Sequence, residues 1–129
     1  HHARGVAAAP PAHGSPYVII SAAKAPAIKR ATTRALGAEV VLYDRVTEDR
    51  DAIGQRLSNE RGLTLIKPYD DAQVMAGQGT VGLEIAAQAA AEGVTNADVL
   101  ICCGGGGLTS GVALALEGAA PGLRVRPCE

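Results

Sequence analysis

Four consecutive glycines are the residues whose type and spacing offer the clearest chemistry in this 129-residue chain. The run Gly104–Gly107 follows the apolar stretch 97–103 and precedes a predicted helix over 108–119. Glycine lets the backbone approach a ligand closely and adopt positive φ. The free N–H groups at a helix start attract an anion, most often a phosphate. A tight structural turn explains the run equally well, so local physics leaves both interpretations open.

The spacing of the glycines excludes two familiar phosphate motifs. A dinucleotide-binding turn spaces its glycines as G-x-G-x-x-G, and a P-loop ends in Gly-Lys-Ser/Thr. Neither pattern occurs at the tetraglycine run, and the first predicted strand–helix turn carries no glycine fingerprint. A nucleotide- or dinucleotide-binding function is therefore disfavoured.

The amino-acid composition limits the core and the partners. The chain is 47% hydrophobic but contains no Phe, no Trp and only three Tyr, so its core must consist of Ala, Val, Leu and Ile. The formal net charge of −1 gives no reason to expect a nucleic-acid partner. No apolar stretch approaches the roughly 20 residues that span a bilayer, so no membrane partner is expected.

The three cysteines indicate the redox environment in which the chain is expected to work. Cys102 and Cys103 are adjacent on a predicted buried strand, where their side chains would point to opposite faces. We expect them to be small core fillers rather than a redox pair. This usage argues against a disulfide scaffold and favours a reducing compartment, so a cytoplasmic location is predicted.

Strand and helix signals alternate along the chain, which predicts an α/β fold with a doubly wound, mostly parallel sheet covered on both faces. Five strands are predicted, over 17–20, 39–43, 63–66, 97–103 and 123–126. The intervening helices are predicted over 25–36, 47–61, 73–92 and 108–119. Ligands on such sheets bind beyond the carboxyl ends of the strands, which is where the tetraglycine run lies.

Capping residues set the expected helix boundaries. Pro26 is placed in the first turn of its helix, where proline is tolerated. Thr47 is the predicted N-cap of the next helix. A first helix starting near His2 is expected to end by Ala9, because the two prolines that follow would each cost about 3 kcal/mol inside a helix.

Three segments together resemble the fold-type-II pyridoxal-phosphate enzymes, specifically the threonine/serine dehydratase and serine racemase group. GGGGL at 104–108 resembles the loop that holds the cofactor phosphate. AGQGT at 76–80 resembles the segment after a Pro-Tyr/Phe-Asp turn, which here is PYDD at 68–71. The stretch 25–40 resembles the small-domain helix and strand. The order and spacing match the family, and the resemblance covers essentially all 129 residues.

The resemblance implies pyridoxal phosphate as cofactor and an amino acid as substrate. A lysine upstream of the small domain would carry the cofactor, but Lys24, Lys29 and Lys67 all lie in other contexts. We therefore interpret the chain as an internal fragment of a longer enzyme. Residues 1–92 would correspond to the small domain and its linking helix, and residues 93–129 to the start of the large-domain half, with one compact unit also possible.

The resemblance also implies which residues bind the cofactor. They would be Gly104, Gly105, Gly106, Gly107, Leu108 and His1. His1 stands where the family has an asparagine that contacts the cofactor ring, and a histidine can still donate a hydrogen bond there. The adjacent histidines at the start of the chain also suggest a metal site, but without a third ligand this signal is weak.

Substrate and metal residues follow from the same resemblance. His2, Ala3 and Arg50 would contact the substrate, with Arg50 suited to a carboxylate. Arg50 is more readily interpreted as an exposed helix arginine among acidic neighbours. Glu129 falls where relatives place a carboxylate ligand for a divalent cation, although one carboxylate does not make a site.

The function implied is that of an ammonia-lyase, or dehydratase, acting on serine- or threonine-like β-hydroxy amino acids; a racemase would share these segments. The chain alone is expected to be inactive, because the lysine that carries the cofactor is absent. A homodimer or another self-associated form is expected, since a divided enzyme exposes apolar surface. The alternative is a non-catalytic α/β domain that folds alone as a five-stranded sheet and serves as a binding or interaction module.

Overall fold

The structure is a computed structural model that describes residues 2–9 and 17–129. The chain divides into two compact units, His1–Leu65 and Ile66–Glu129, called here the N-terminal and the C-terminal unit. Each contains one pair of parallel strands. The predicted division after residue 92 concerns the domains of a longer enzyme, and it stays a prediction.

The N-terminal unit packs three helices and two strands around a small core. Its elements are α1 (His2–Ala8), β1 (Val18–Ala22), α2 (Ala27–Ala35), β2 (Glu39–Tyr43) and α3 (Arg50–Arg61). The strands pair in parallel, beginning with Val18 opposite Glu39. Ile19 is buried against Ala7 and Ala38. Because two of these three core side chains are alanines, the unit buries few large apolar groups.

The C-terminal unit has a larger aliphatic core. Its elements are α4 (Ala72–Ala91), β3 (Ala97–Cys102), α5 (Gly107–Ala119) and β4 (Leu123–Cys128). The two strands run parallel, with Ala97 opposite Leu123 at one end. Val112 and Leu116 of α5 are fully buried and pack against Ile101 and Leu123. The predicted α/β class with parallel strands is thus confirmed.

Glycines bring helices α4 and α5 into backbone contact. A Cβ atom added to Gly82 would lie 2.9 Å from the carbonyl oxygen of Val112. One added to Gly111 would lie 2.8 Å from the amide nitrogen of Gly79. Side chains at these positions would separate the helices, so the glycines fix where α5 begins relative to the rest of the unit.

The start of helix α3 corrects one expectation. The predicted N-cap Thr47 is wrong, because the helix begins at Arg50 and Asp49 caps it. The Asp49 carboxylate accepts hydrogen bonds from the amides of Asp51 and Ala52, at 2.8 and 3.2 Å. Pro26 likewise lies at the N-cap of α2 rather than inside its first turn. The first helix ends at Ala8, as predicted.

The predicted strand over 63–66 is also wrong. These residues form no strand in the described part of the chain, which holds four strands in two sheets rather than five in one. The amide of Leu63 donates to the carbonyl of Ser58 at 3.0 Å, and the Ser58 hydroxyl donates back to the Leu63 carbonyl. The backbone of Leu63 is therefore used to close the end of α3 and is not free to pair with a strand.

One face of strand β3 is open within the C-terminal unit. Its odd-numbered residues face the core, whereas Leu100 is 72% exposed. The expected burial of both faces is therefore wrong for the described residues. Cys102 is exposed and Cys103 half-buried, so neither is the core filler that the sequence predicted. Both thiols and that of Cys128 are free.

Residues 2–9 and 17–129 include no helix with the length and apolar character needed to cross a membrane.

Candidate functional site

The tetraglycine loop lies at the carboxyl edge of the β3–β4 sheet. Strand β3 ends at Cys102, where it pairs with Cys128 at the end of β4. The amide of Cys103 still donates to the carbonyl of Cys128 at 2.8 Å. The chain then leaves the sheet through three glycines, and α5 begins at Gly107. This is the edge at which parallel sheets bind ligands.

The loop exposes a set of backbone donors. Gly106 has φ of +84°, a conformation that favours glycine, and it forms the N-cap of α5. The first amide of α5 bonded within this turn is that of Ser110, which donates to the Gly106 carbonyl at 2.8 Å. Within the described part of the chain, the amides of residues 104–109 donate to no backbone carbonyl. These six neighbouring N–H groups therefore lack a backbone acceptor among the described residues; Gly104 and Gly105 are exposed, whereas Gly107 and Thr109 are buried.

The electrostatics of the loop come from the backbone. Helix α5 has 13 residues, and the aligned peptide dipoles of such a helix place about half a positive charge at its N-terminus. The buried Thr109 hydroxyl donates to the Cys102 carbonyl at 3.4 Å, which ties the first turn of α5 to the end of β3. The loop is thus held between β3 and α5, and its amide donors carry partial positive charge without a cationic side chain.

Tyr69 packs against the loop, which the sequence did not indicate. A Cβ atom at Gly105 would overlap the ring of Tyr69, and one at Gly107 would lie 2.9 Å from the Tyr69 Cα atom. Glycine at these two positions therefore makes room for the tyrosine as well as for a ligand. The PYDD turn was recognised only as a segment, since no local pattern reveals what a turn residue packs against.

The turn that carries Tyr69 is itself fixed. The Asp71 amide donates to the Tyr69 carbonyl at 3.0 Å. The Asp71 carboxylate accepts hydrogen bonds from the amides of Gln73 and Val74, at 2.8 and 3.1 Å, and so caps α4. Because α4 packs on α5, the tyrosine and the glycine loop belong to one connected structure within the C-terminal unit.

The residues predicted to bind substrate lie in the N-terminal unit. His1 lies outside the described residues, so its predicted contact with the cofactor ring stays a prediction. His2 and Ala3 are half-buried in the first turn of α1. Arg50 begins α3 and forms an ion pair with Asp51 at 2.9 Å. This pairing agrees with a surface helix arginine, and a substrate role for Arg50 stays a prediction.

The predicted metal ligand Glu129 directly follows Cys128 at the same sheet edge as the glycine loop, and it is exposed. Among the residues that the structure describes, no group of three or more His, Cys, Asp or Glu side chains is placed to hold a metal ion. The expected divalent cation therefore has no support in the arrangement of these residues.

Comparison with known proteins decides the family. The model of the pyridoxal-phosphate dependent enzyme family matches residues 1–129. The chain belongs to this family. The resemblance inferred from the three sequence segments is thus confirmed, and the family implies pyridoxal phosphate as the cofactor of its members.

Individual relatives agree with this family assignment. The chain is 45% identical over 122 residues to an L-threo-3-hydroxyaspartate ammonia-lyase of Pseudomonas sp, covering 94% of this chain and 37% of the relative. It is 42% identical over 126 residues to serine racemase of Schizosaccharomyces pombe, covering 97% and 38% respectively. A solved structure of threonine deaminase from T.th. superposes with a TM-score of 0.84 at 41% identity, covering 98% of this chain and 40% of that one.

The chain therefore spans less than two fifths of the length of these curated relatives. The family members named above act on amino acids, as their names state.

The residues present fit the phosphate end of the family's cofactor. The amides at 104–109, which lack backbone acceptors among the described residues, are donors of the kind that bind phosphate oxygens at a helix start. The exposed glycines Gly104 and Gly105 present no side chain toward an incoming group. Of the three lysines, only Lys67 belongs to the C-terminal unit, and nothing in the sequence or the fold assigns it to the cofactor.

Proposed function

We propose that this chain supplies the phosphate-binding part of a pyridoxal-phosphate-dependent ammonia-lyase acting on serine- or threonine-like β-hydroxy amino acids. The observation that carries the proposal is the set of amides at 104–109 that lack backbone acceptors among the described residues, at the carboxyl edge of β3 and the start of α5. Family membership and the ammonia-lyase and threonine deaminase relatives support the reaction class. The whole enzyme would release a 2-oxo acid and ammonia.

The contribution of the chain to this reaction is binding and orientation. The amides of Gly104 to Thr109 would donate to the phosphate oxygens of pyridoxal phosphate, and Leu108 would lie beside them in the first turn of α5. When bound, the cofactor stabilises the negative charge left at Cα after proton removal. Tyr69 and Thr109 would keep the loop in the binding conformation. The chain's own residues supply no assigned base.

Several finer points belong to the same proposal. His1, His2, Ala3 and Arg50 would serve the cofactor ring and the substrate in the whole enzyme. The chain alone would be inactive, because none of its lysines is placed as the lysine that carries the cofactor. Measurable 2-oxo acid formation from serine or threonine by the pure chain would contradict this part.

Self-association and location are further parts of the proposal. Exposed leucines at positions 83, 100 and 114, which are 53%, 72% and 67% exposed, support a dimer or another self-associated form. Light scattering on the pure chain tests it, and a monomer at all concentrations would contradict it. The three free thiols support a reducing compartment such as the cytoplasm.

Titration with pyridoxal phosphate tests the central proposal. We expect saturable binding that is weakened at least about tenfold in Gly105→Asp, because the added side chain meets the Tyr69 ring and brings negative charge to the amides. The matched control is Gly118→Ala, at the far end of α5, where a Cβ meets nothing within 4 Å. Borohydride reduction with peptide mapping identifies any lysine that has reacted.

Two results would contradict the proposal. One is equal affinity of Gly105→Asp and the unaltered chain. The other is weak labelling scattered over Lys24, Lys29 and Lys67 that the substitution does not change. Either result would mean that the glycine run is only a turn and would favour a non-catalytic domain.

A further inference from the structure

The start of the chain is strongly segregated in charge. Residues 1–38 include five basic side chains and no acidic one, although the whole chain is almost neutral. The basic residues are Arg4, Lys24, Lys29, Arg30 and Arg34. A local excess of one sign of charge creates a potential that attracts the opposite charge. This part of the N-terminal unit is therefore suited to anions.

Three of these basic residues are among those that line one pocket of the N-terminal unit. The pocket has a volume of about 140 Å³. Arg4 reaches it from α1, and Lys29 and Arg30 reach it from the first turn of α2. Ile19 and Ser21 of β1 form part of its wall. Among the described residues that line it, none is acidic.

Arg30 has a polar atom that lacks an acceptor. One terminal nitrogen of its guanidinium group, Nη1, donates to the carbonyl of Ala23 at 2.9 Å. The Nε atom is buried and has no hydrogen-bond partner among the described residues. Buried donors are almost always paired, and an exception points to a water or an ion as the missing acceptor. Because three basic residues line the same pocket, an anion suits this donor better than a neutral water.

We propose that this pocket binds a small oxyanion of the phosphate class through the side chains of Arg4, Lys29 and Arg30. The planar guanidinium group of Arg30 suits two oxygens of such an anion, and Lys29 adds a compact charge. The Ser21 hydroxyl provides a neutral donor in the same wall. The volume limits the ligand to a compact anion. The site uses charged side chains, unlike the glycine loop, and it does not rest on the proposed function.

Inorganic phosphate is the probe for this site. The 129-residue chain carrying Gly105→Asp, which disables the glycine loop, is titrated at constant ionic strength and followed by the amide resonances of each unit. We expect saturable shifts for Ile19, Ser21 and the first turn of α2. Arg30→Gln and Arg4→Gln should each weaken binding about tenfold or more, since each removes a charge-assisted hydrogen bond.

Arg34→Gln is the matched control. Arg34 lies on the same helix and carries the same charge, but it is exposed in the last turn and does not line the pocket. Its loss should change the affinity by no more than about twofold, because Arg34 does not line the pocket and salt screens a charge that does not contact the ligand. Equal weakening by Arg34→Gln would show a general charge effect and overturn the site.

The absence of saturable shifts in the N-terminal unit would also overturn the proposal, whatever pyridoxal phosphate does at the glycine loop. If the amide spectrum shows that Arg30→Gln is unfolded, the phosphate affinity of Arg4→Gln tests the proposal instead. Arg4 lies on a different helix and is exposed, so its replacement should leave the chain folded.

Discussion

The two units of this chain offer positive charge to anions by different means. The C-terminal unit presents backbone amides at 104–109, next to the buried side chain of Thr109. The N-terminal unit has three basic residues among those that line a pocket. Backbone donors have no rotamers, so their positions are as exact as the elements that hold them. Cationic side chains carry a full charge but must be ordered by the ligand or by their neighbours.

The packing of each unit matches this difference. In the C-terminal unit, α5 is held by fully buried aliphatic residues and by glycine contacts with α4. In the N-terminal unit, Ile19 packs mainly on alanines and also borders the pocket. A donor set made from backbone needs the firmer support, whereas flexible cations tolerate a looser one. The predictions below test this contrast, beginning with the largest effect.

The substitution with the largest expected effect on stability is Leu116→Ala. Leu116 is 1% exposed in the core of the C-terminal unit, and removing such a side chain costs about 2–5 kcal/mol through lost burial and the cavity left behind. Urea unfolding measures the change. Leu114→Ala on the same helix, measured at protein concentrations low enough to keep the chain monomeric, is the control. Leu114 is 67% exposed, so its replacement should change the free energy of unfolding of the monomer by no more than about 0.5 kcal/mol.

Equal losses for the two leucine variants would contradict the view that α5 is held by its buried face. A smaller loss for Ile19→Ala than for Leu116→Ala would sharpen the contrast between the units, since Ile19 already borders a pocket.

An intermediate effect is expected for Gly82→Ala. Its Cβ would lie 2.8 Å from the Cβ of Ala115 and 2.9 Å from the Val112 carbonyl oxygen, and such overpacking typically costs about 1–3 kcal/mol. Gly77→Ala on the same helix is the matched control, because a Cβ there meets nothing within 4 Å. The control should stabilise the chain by about 0.5–1 kcal/mol, the helix preference of alanine over glycine. Thermal unfolding shows whether each variant is more or less stable than the unaltered chain.

A gain of stability in Gly82→Ala as well as in Gly77→Ala would mean that the contact between α4 and α5 is looser than these distances indicate. The position of the glycine loop would then depend on the sheet alone.

The smallest effect concerns a surface ion pair of the N-terminal unit. Arg61 donates to the carboxylate of Glu39 at 2.7 Å, and this hydrogen bond lowers the pKa of Glu39. A lowered pKa in the folded state adds stability at pH values above the ordinary glutamate pKa. This contribution is lost as the pH falls through the lowered value.

Urea unfolding of Glu39→Gln across pH tests this pair. The variant should be slightly less stable than the unaltered chain at neutral pH, and the difference should vanish in acid. It should also be absent in an Arg61→Gln background, because the partner is gone. A difference that persists in acid or without Arg61 would assign the effect to something other than the pair.

The sequence predicted most elements because their signals are local. The tetraglycine run after an apolar strand, and the glycines at positions 37, 62 and 93 that adopt positive φ after helices, each act within a few residues. The wrong strand over 63–66 has the same origin. Its apolar residues suit a strand, but the end of α3 uses the backbone of Leu63.

The candidate site was predicted only in part, for a related reason. The loop could be found from its own residues, whereas the position of Tyr69 depends on α4 meeting α5 through glycines far apart in sequence. The sequence contains one signal that points to the pocket around Arg30, which is the absence of acidic residues before Glu39. Which of the five cations share the pocket depends on how α1 and α2 pack on β1, and no local pattern specifies that.

The most direct test of the central claim is to follow the amide resonances of residues 104–109 during titration with pyridoxal phosphate. If these amides hold the phosphate, the glycine N–H signals should shift together to lower field with one saturable binding curve, and Gly105→Asp should abolish the shifts. Unmoved resonances at 104–109, at ligand concentrations that saturate any other response of the chain, would contradict the claim and leave the glycine run as a turn.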